Sequence, residues 1–380
     1  MNSRERVVAA LNHQEPDKVP IDLNGTTCTT ITRNAYVKLR EYLGLEKEPA
    51  PFISDLALGA VIPKDDILTL YGIDTRMVYD RNMNALDIQF ESDGSFYDEL
   101  GVRWRPASYY YDAVERPLTE AESVADLEKI DWNVAIDRDE LQSICNYAKD
   151  LFYNTSYCLI ADFNLFGPFG PFEGGCVLRG YDKFLMDFYA NTDFAESLLN
   201  NLTDMFIQKI DAYLEDVGDL IQVVAFGDDV GMQSSTYVSP EMYRRYIKPL
   251  HKKIFDFTKT KTDAKIFLHS CGSVYDIIPD FIEEGVDILN PVQRSAAKMD
   301  IEVLKKEFGS DITFWGGGID IQQQLPFFTN DQIEEEVKRT IDIMADGGGF
   351  VFFPTHNIQP DTSPEKIDCM FKAVMKYGGY

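Results

Sequence analysis

Across 380 residues the chain carries 63 acidic against 36 basic side chains, a formal charge of −27, with 45% hydrophobic residues. That composition can bury a large core and excludes intrinsic disorder, and an acidic excess with no Lys/Arg run excludes nucleic acid as a partner. No apolar stretch approaches membrane-spanning length, and the charged, amphipathic start from Met1 to Leu11 lacks the apolar core of a signal peptide, so no membrane partner is expected.

In chain order, an opening helix is broken by Pro16-Asp17-Lys18-Val19-Pro20, which leads into a short strand over 19–24. Helical periodicity covers 34–43 and 63–71, and 75–79 reads as a second strand. Residues 86–106 alternate (Leu86, Ile88, Phe90, then Ser92-Asp93-Gly94, then Val102 and Trp104), which predicts an antiparallel hairpin. With polar helices near 119–128 and 138–151, it forms an insertion over 85–150 within one domain spanning 1–380. From residue 156 onwards the apolar runs 157–161, 221–226, 264–269, 286–289, 312–315 and 350–353 are each followed by a helical stretch. Short continuous apolar strands alternating with helices indicate a parallel sheet covered on both faces. Eight strand-helix units predict an α/β fold, a (β/α)8 TIM barrel with an N-terminal helical and β-hairpin insertion. A doubly wound sheet would need a dinucleotide glycine fingerprint, and Gly25 stands alone after the first strand. Ser239-Pro240-Glu241 and Ser363-Pro364-Glu365 open helices with an N-cap, a proline and an acidic residue. Gly285 and Gly347 close helices.

In such a barrel the C-terminal strand ends converge on one mouth. Polar residues stand where the apolar runs stop: Asp22 and Asn24, Asp162 and Asn164, Asp228 and Asp229, His269 and Cys271, Asn290 and Gln293, Trp315 with Gly316-Gly317-Gly318, and Thr355-His356-Asn357. The run Ile266-Phe267-Leu268-His269-Ser270-Cys271-Gly272 is the most informative, because a strand period of two sends His269 and Cys271 to one side. An imidazole and a thiol sharing a side is a zinc-ligand pair, and zinc keeping an open position needs a third protein ligand. Only four histidines occur (His13, His251, His269, His356), and His356, past the last strand, is the candidate third ligand. Asp228 or Asp229 is the candidate catalytic group or water-bridged contact. Each has a structural alternative: a cysteine as a small buried hydrophobe, His356 bonded within its loop, the Asp pair capping a helix. Four phenylalanines fall between Phe163 and Gly175, on a loop that lines an apolar pocket or packs against a partner subunit. Asn24, Asn164, Phe166, Asn290 and Trp315 are the expected substrate-binding set, and Gly316, Gly317 and Gly318 the turn at which a cofactor approaches the backbone. The six cysteines (Cys28, Cys145, Cys158, Cys176, Cys271, Cys369) are scattered rather than framed as disulfides, which points to a reducing cytoplasm. The chain has no Gly-x-Ser-x-Gly elbow, Walker loop or Cys-x-x-Cys, which sets serine hydrolysis and nucleotide hydrolysis aside.

The opening Arg4-Glu5-Arg6-Val7-Val8-Ala9-Ala10-Leu11 with Pro16-Asp17-Lys18-Val19-Pro20, the segment Ser239-Pro240-Glu241-Met242-Tyr243, His269-Ser270-Cys271-Gly272, Gly285-Val286-Asp287 and Pro354-Thr355-His356-Asn357-Ile358 together resemble the uroporphyrinogen decarboxylase superfamily. Within it the chain looks like the corrinoid-dependent methyltransferases of anaerobic C1 metabolism, whose zinc is held by a His-x-Cys pair and a later cysteine. That resemblance implies zinc on His269 and Cys271, a corrinoid (cobalamin) carried by a partner protein, and a small methyl donor or acceptor: a methoxylated aromatic, a thiol or a folate. Where those enzymes place the later cysteine, this chain has His356. The arginine-rich loop with which the decarboxylase grips its tetrapyrrole should follow the first strand, yet Leu23-Asn24-Gly25-Thr26-Thr27-Cys28 holds no arginine. Uroporphyrinogen decarboxylation is therefore not expected. The rival readings are a metal-free lyase using Asp228 or Asp229 on a small carboxylated substrate, and a non-catalytic corrinoid- or tetrapyrrole-binding protein. Homo-oligomerisation is left open.

Overall fold

Each apolar run after residue 156 becomes a short parallel strand. The computed structural model describes residues 1–48, 50–81, 88–108, 110–163 and 170–380. Seven strands follow one another around a single sheet: β1 (Thr75–Val78), β2 (Cys158–Asp162), β3 (Val223–Gly227), β4 (Lys265–His269), β5 (Ile288–Asn290), β6 (Thr313–Trp315) and β7 (Phe350–Val351). Every neighbouring pair is parallel.

The expected eighth strand, 19–24, closes the gap between β7 and β1 as an irregular segment. On one side Phe352 N–H donates to the Pro20 carbonyl (2.9 Å) and Asp22 N–H to that of Phe352 (2.9 Å). On the other, Asp74 N–H donates to Ile21 (2.8 Å) and Met77 N–H to Asn24 (3.2 Å). A regular ladder cannot form here because Pro20 has no N–H, Ile21 gives its own to the Asp74 carboxylate (3.0 Å), and Asn24 takes the left-handed conformation at φ 80°. The (β/α)8 barrel is nonetheless closed.

The period of two fills its interior. Cys158, Ile160, Val223, Ala225, Phe267, Ile288, Trp315 and Val351 point inward, and Val7 and Leu11 of the helix Ser3–Leu11 pack beneath them. Alternate residues such as Ile266 and Leu268 face outward onto the helical layer, which includes Thr192–Val217, Lys248–Lys259, Asn330–Met344 and Pro364–Tyr377. All these apolar residues are removed from water, which is the main stabilising term.

The insertion differs from expectation. It holds a three-stranded antiparallel meander, Phe96–Tyr97, Arg103–Pro106 and Tyr111–Glu115. The turn that reverses the first pair is at 98–102, where the Asp98 carboxylate accepts the N–H groups of Leu100 (3.0 Å) and Val102 (2.8 Å) and Gly101 sits at φ 82°. Ser92-Asp93-Gly94 is a separate turn, so the alternation at Ile88 and Phe90 does not mark a hairpin arm, and Leu86 lies outside the described residues. Among the described residues, no helix is long and apolar enough to cross a membrane.

Candidate metal centre at the barrel mouth

His269 ends β4 with its ring turned inward, one strand position above Phe267. Its ladder partners are Gly227 on β3, which leaves room for the ring, and Asn290 on β5. The Asn290 amide fixes the chemistry of that ring. Its Nδ2 donates to the Trp315 carbonyl (2.8 Å), so Oδ1 must be the atom 2.6 Å from His269 Nδ1. An oxygen there accepts, so Nδ1 carries a proton and Nε2 is the ring nitrogen left to face the site. Nε2 lies 3.4 Å from Cys271 Sγ and 3.9 Å from Asp229 Oδ1. Tetrahedral zinc with ordinary Zn–N and Zn–S bonds separates such a pair by about 3.6 Å, so the observed spacing fits a shared cation. A carbonyl oxygen on the far ring nitrogen is the usual support of a ligating histidine. Gly272 lets the chain leave Cys271 at φ 91°, where a Cβ would stand 2.5 Å from Gly231 backbone.

Two loops face this pair. After the closing segment, Thr26-Thr27-Cys28-Thr29-Thr30 folds on itself, with Cys28 N–H donating to Thr26 Oγ1 (3.2 Å) and Thr27 N–H and Oγ1 donating to Asp162 (2.7 and 3.0 Å). After β7, Asn357 clamps that loop by accepting Thr30 N–H (2.8 Å) and donating to the Thr27 carbonyl (2.8 Å). The clamp sets Cys28 beside His356. Cys28 Sγ and a ring nitrogen each of His269 and His356 lie within 4.8 Å of one another, as do the ligand atoms of Asp229, His269 and Cys271. The expected trio His269, Cys271 and His356 is thus divided between two sets joined at His269. Burial pushes both the Cys28 and Cys271 thiols well above the ordinary thiol range, and the surrounding carboxylates push the same way. Neither is a nucleophile on its own near neutral pH; a bound dication would offset this. Burial, with His269 adding to it, lowers His356 to about 3, so that ring is neutral.

The two adjacent aspartates have different work. Asp228 accepts the N–H groups of Phe172 (3.0 Å) and Glu173 (2.7 Å) at the start of the helix Pro171–Arg179, and faces His251 Nε2 (2.8 Å). Its oxygens are occupied in anchoring a helix N-terminus, so the catalytic role expected of it does not fit. Asp229 accepts Cys271 N–H (2.7 Å) and turns toward His269. Its own N–H donates to Glu173 (3.2 Å), a carboxylate the sequence did not single out. Burial raises Asp229, with His269 and the Cys271 N–H opposing, and burial with both aspartates raises Glu173 well above its usual range.

His251, noticed in the sequence only as one of four histidines, sits behind Asp228. The Tyr243 hydroxyl gives its proton to Glu284 (2.7 Å) and is 3.0 Å from His251 Nδ1, so Nδ1 must donate. Nε2 faces a carboxylate and donates too. The ring is therefore an imidazolium between Asp228 and Glu284, and although burial lowers its pKa, those hydrogen bonds lift it to about 9.

The remaining expected residues are placed as follows. Asn290 is the orienting partner of His269 rather than a free substrate contact. Trp315 is fully buried inside the barrel, donating to Asp22 (2.8 Å) with its ring against Phe267, and forms no open wall. Gly316, Gly317 and Gly318 donate their N–H groups to Val351, Pro354 and Phe353, and a Cβ on Gly318 would stand 2.4 Å from Phe352. That turn is packed and its amides are engaged, so it does not offer the expected cofactor cradle. Asn24 is buried with its Oδ1 unpaired. Asn164 and Phe166 lie outside the described residues. Gln293 accepts Gly272 N–H (2.7 Å) and so supports the Cys271 turn. The residue the sequence reading missed, Cys28, carried one signal: it follows a strand end, four residues after Asn24 and six after Asp22, both of them mouth candidates.

Comparison with known proteins agrees with this frame. The model of the family "Uroporphyrinogen decarboxylase (URO-D)" matches residues 106–377. The uroporphyrinogen decarboxylases of Staphylococcus aureus strains JH9 and Newman are each 25% identical over 181 residues, 48% of this chain and 48% of theirs. The chain thus spans about half the length of the curated relatives it matches. A solved structure, a methyltransferase from Methanosarcina mazei, is 20% identical, covers 99% of both chains and superposes with a TM-score of 0.67, which shows a shared fold. With the family match covering more than two thirds of the sequence and the barrel closed as that fold requires, the chain belongs to the uroporphyrinogen decarboxylase family.

Proposed function

We propose that the protein is a zinc-dependent methyltransferase of anaerobic C1 metabolism, which moves a methyl group between a small substrate, such as a methoxylated aromatic, or a thiol or folate acceptor, and a corrinoid held by a separate protein. The observation that carries this reading is the His269 ring, which Asn290 holds with its Nε2 3.4 Å from the Cys271 sulfur. His269 and Cys271 bind the ion, and the third protein ligand comes from the facing pair, Cys28 and His356. When bound, zinc supplies Lewis-acid activation of the heteroatom that gives up or receives the methyl group. Asp229, beside the pair, orients that heteroatom or holds its proton. The corrinoid protein docks over the mouth, and the likeness of fold to a protein named as a methyltransferase supports the assignment.

Decarboxylation of uroporphyrinogen is the weaker reading. The first mouth loop has no arginine to neutralise a polyanionic tetrapyrrole, and a chain of formal charge −27 attracts one poorly. The test is elemental analysis of protein purified without chelator, together with methyl transfer to cob(I)alamin across a panel of methoxylated aromatics and methylamines. Stoichiometric zinc that Cys271→Ala removes, with turnover of at least one donor, is the expected result. A folded, metal-free protein whose activity depends on Asp229 would replace this reading with a lyase, and corrinoid binding without turnover of any donor would replace it with a binding protein.

A further inference from the structure

The third ligand can be assigned from hydrogen bonding alone. His356 Nδ1 accepts the N–H of Asn357 at 2.8 Å. An N–H can be accepted only by a lone pair, so Nδ1 is unprotonated and the proton of this neutral ring is on Nε2. The donor cannot turn away, because the Asn357 side chain is fixed at both ends to the 27–30 loop (2.8 Å each) and the residue is fully buried. Ligation through Nε2 would require the proton to move to Nδ1, setting two N–H groups against each other. Ligation through Nδ1 would strip a buried backbone N–H of its acceptor. His356 is therefore built as a donor.

Cys28 has the opposite character. It is 2% exposed, is a free thiol, and its sulfur is within 4.8 Å of both histidines. Its loop is held in place from three directions, by Asp162, by Asn357 and by its own threonines. His269, whose Nδ1 is fixed independently by Asn290, is the residue common to both sets. We propose that Cys28 is the third protein ligand of the zinc and that His356 is a neutral N–H donor beside it. The resulting set of one nitrogen and two sulfurs, His269, Cys271 and Cys28, leaves a fourth position open, as a catalytic site requires. Cys28 and Cys271 stand in separate sets, so ligation by both sulfurs requires one cysteine side chain to turn toward the ion.

This assignment rests on the zinc reading above, and its test separates the two. Zinc X-ray absorption of the wild-type protein counts sulfur ligands without any substitution: two are expected, and one overturns the proposal. Cobalt(II) replacement gives a second measure through thiolate-to-cobalt charge transfer. Cys28→Ser should roughly halve that band and weaken zinc binding at least about 10-fold, while His356→Gln should leave the band unchanged and zinc affinity within about threefold. An intact band in Cys28→Ser combined with loss of metal in His356→Gln reverses the assignment. A wild-type protein that binds no zinc removes the functional reading itself.

Discussion

His251 offers a quantitative test of the layer that supports the mouth. Its pKa is 6.5 in an unfolded chain and about 9 here, because Asp228 and Glu284 stabilise the imidazolium more than burial penalises it. A group whose folded pKa is raised contributes stability that is fully present below its unfolded value and is lost as pH rises through the folded one. The window is therefore pH 6.5 to 9. The shift corresponds to about 3 kcal/mol, and for a chain of this length that is about 4 °C in melting temperature. Other groups titrate in this range, so the quantity to read is the difference between wild type and His251→Gln, which keeps a donor and loses the charge. Urea melts from pH 6 to 9.5 should show wild type more stable at pH 6 and the two curves converging by about pH 9.5. A difference that stays constant with pH would mean the ring is neutral, and the proton order deduced for Tyr243, His251 and Glu284 would be wrong.

Three further substitutions probe separate parts of the site. Asn290→Leu touches no proposed ligand atom, yet frees the His269 tautomer and should weaken zinc binding about 10- to 100-fold in a chelator competition; affinity within twofold of wild type would refute the orienting role. Gly272→Ala forces a Cβ to 2.5 Å from the Gly231 backbone at φ 91° and should destabilise by more than about 2 kcal/mol in denaturant; an unchanged midpoint would show the turn to be tolerant. Trp315→Phe removes the Nε1 donor to buried Asp22 and should lower stability by about 1–3 kcal/mol with metal content and substrate affinity unaltered; a selective loss of substrate binding would return Trp315 to the pocket wall.

The barrel was legible because its signal is local. Phe267 and His269 fall inward from a period of two, and the alternation of apolar runs with helices repeats often enough to count strands. It failed where a side chain replaces a backbone bond: Asp74 takes the N–H of Ile21, so 19–24 does not form a regular strand, and Asp98 rather than Ser92-Asp93-Gly94 turns the hairpin. Within the site, His269 and Cys271 could be paired from spacing alone. Asp228 and Asp229 could not be told apart, since adjacent identical residues differ only in what packs against them, a helix N-terminus for one and Cys271 for the other. Cys28 was hidden for a further reason. Its approach to His356 depends on Asn357, more than 320 residues away in sequence, and no local pattern reports such a clamp. The sequence comparison weighed a histidine at the position of a third ligand as a change in the donor set. In the proposed ligand set the second sulfur comes from the opposite loop through Cys28, so the number of sulfurs at the ion stays the same while the loop that provides one of them changes, and His356, whose Nδ1 accepts the Asn357 N–H, is released from ligation.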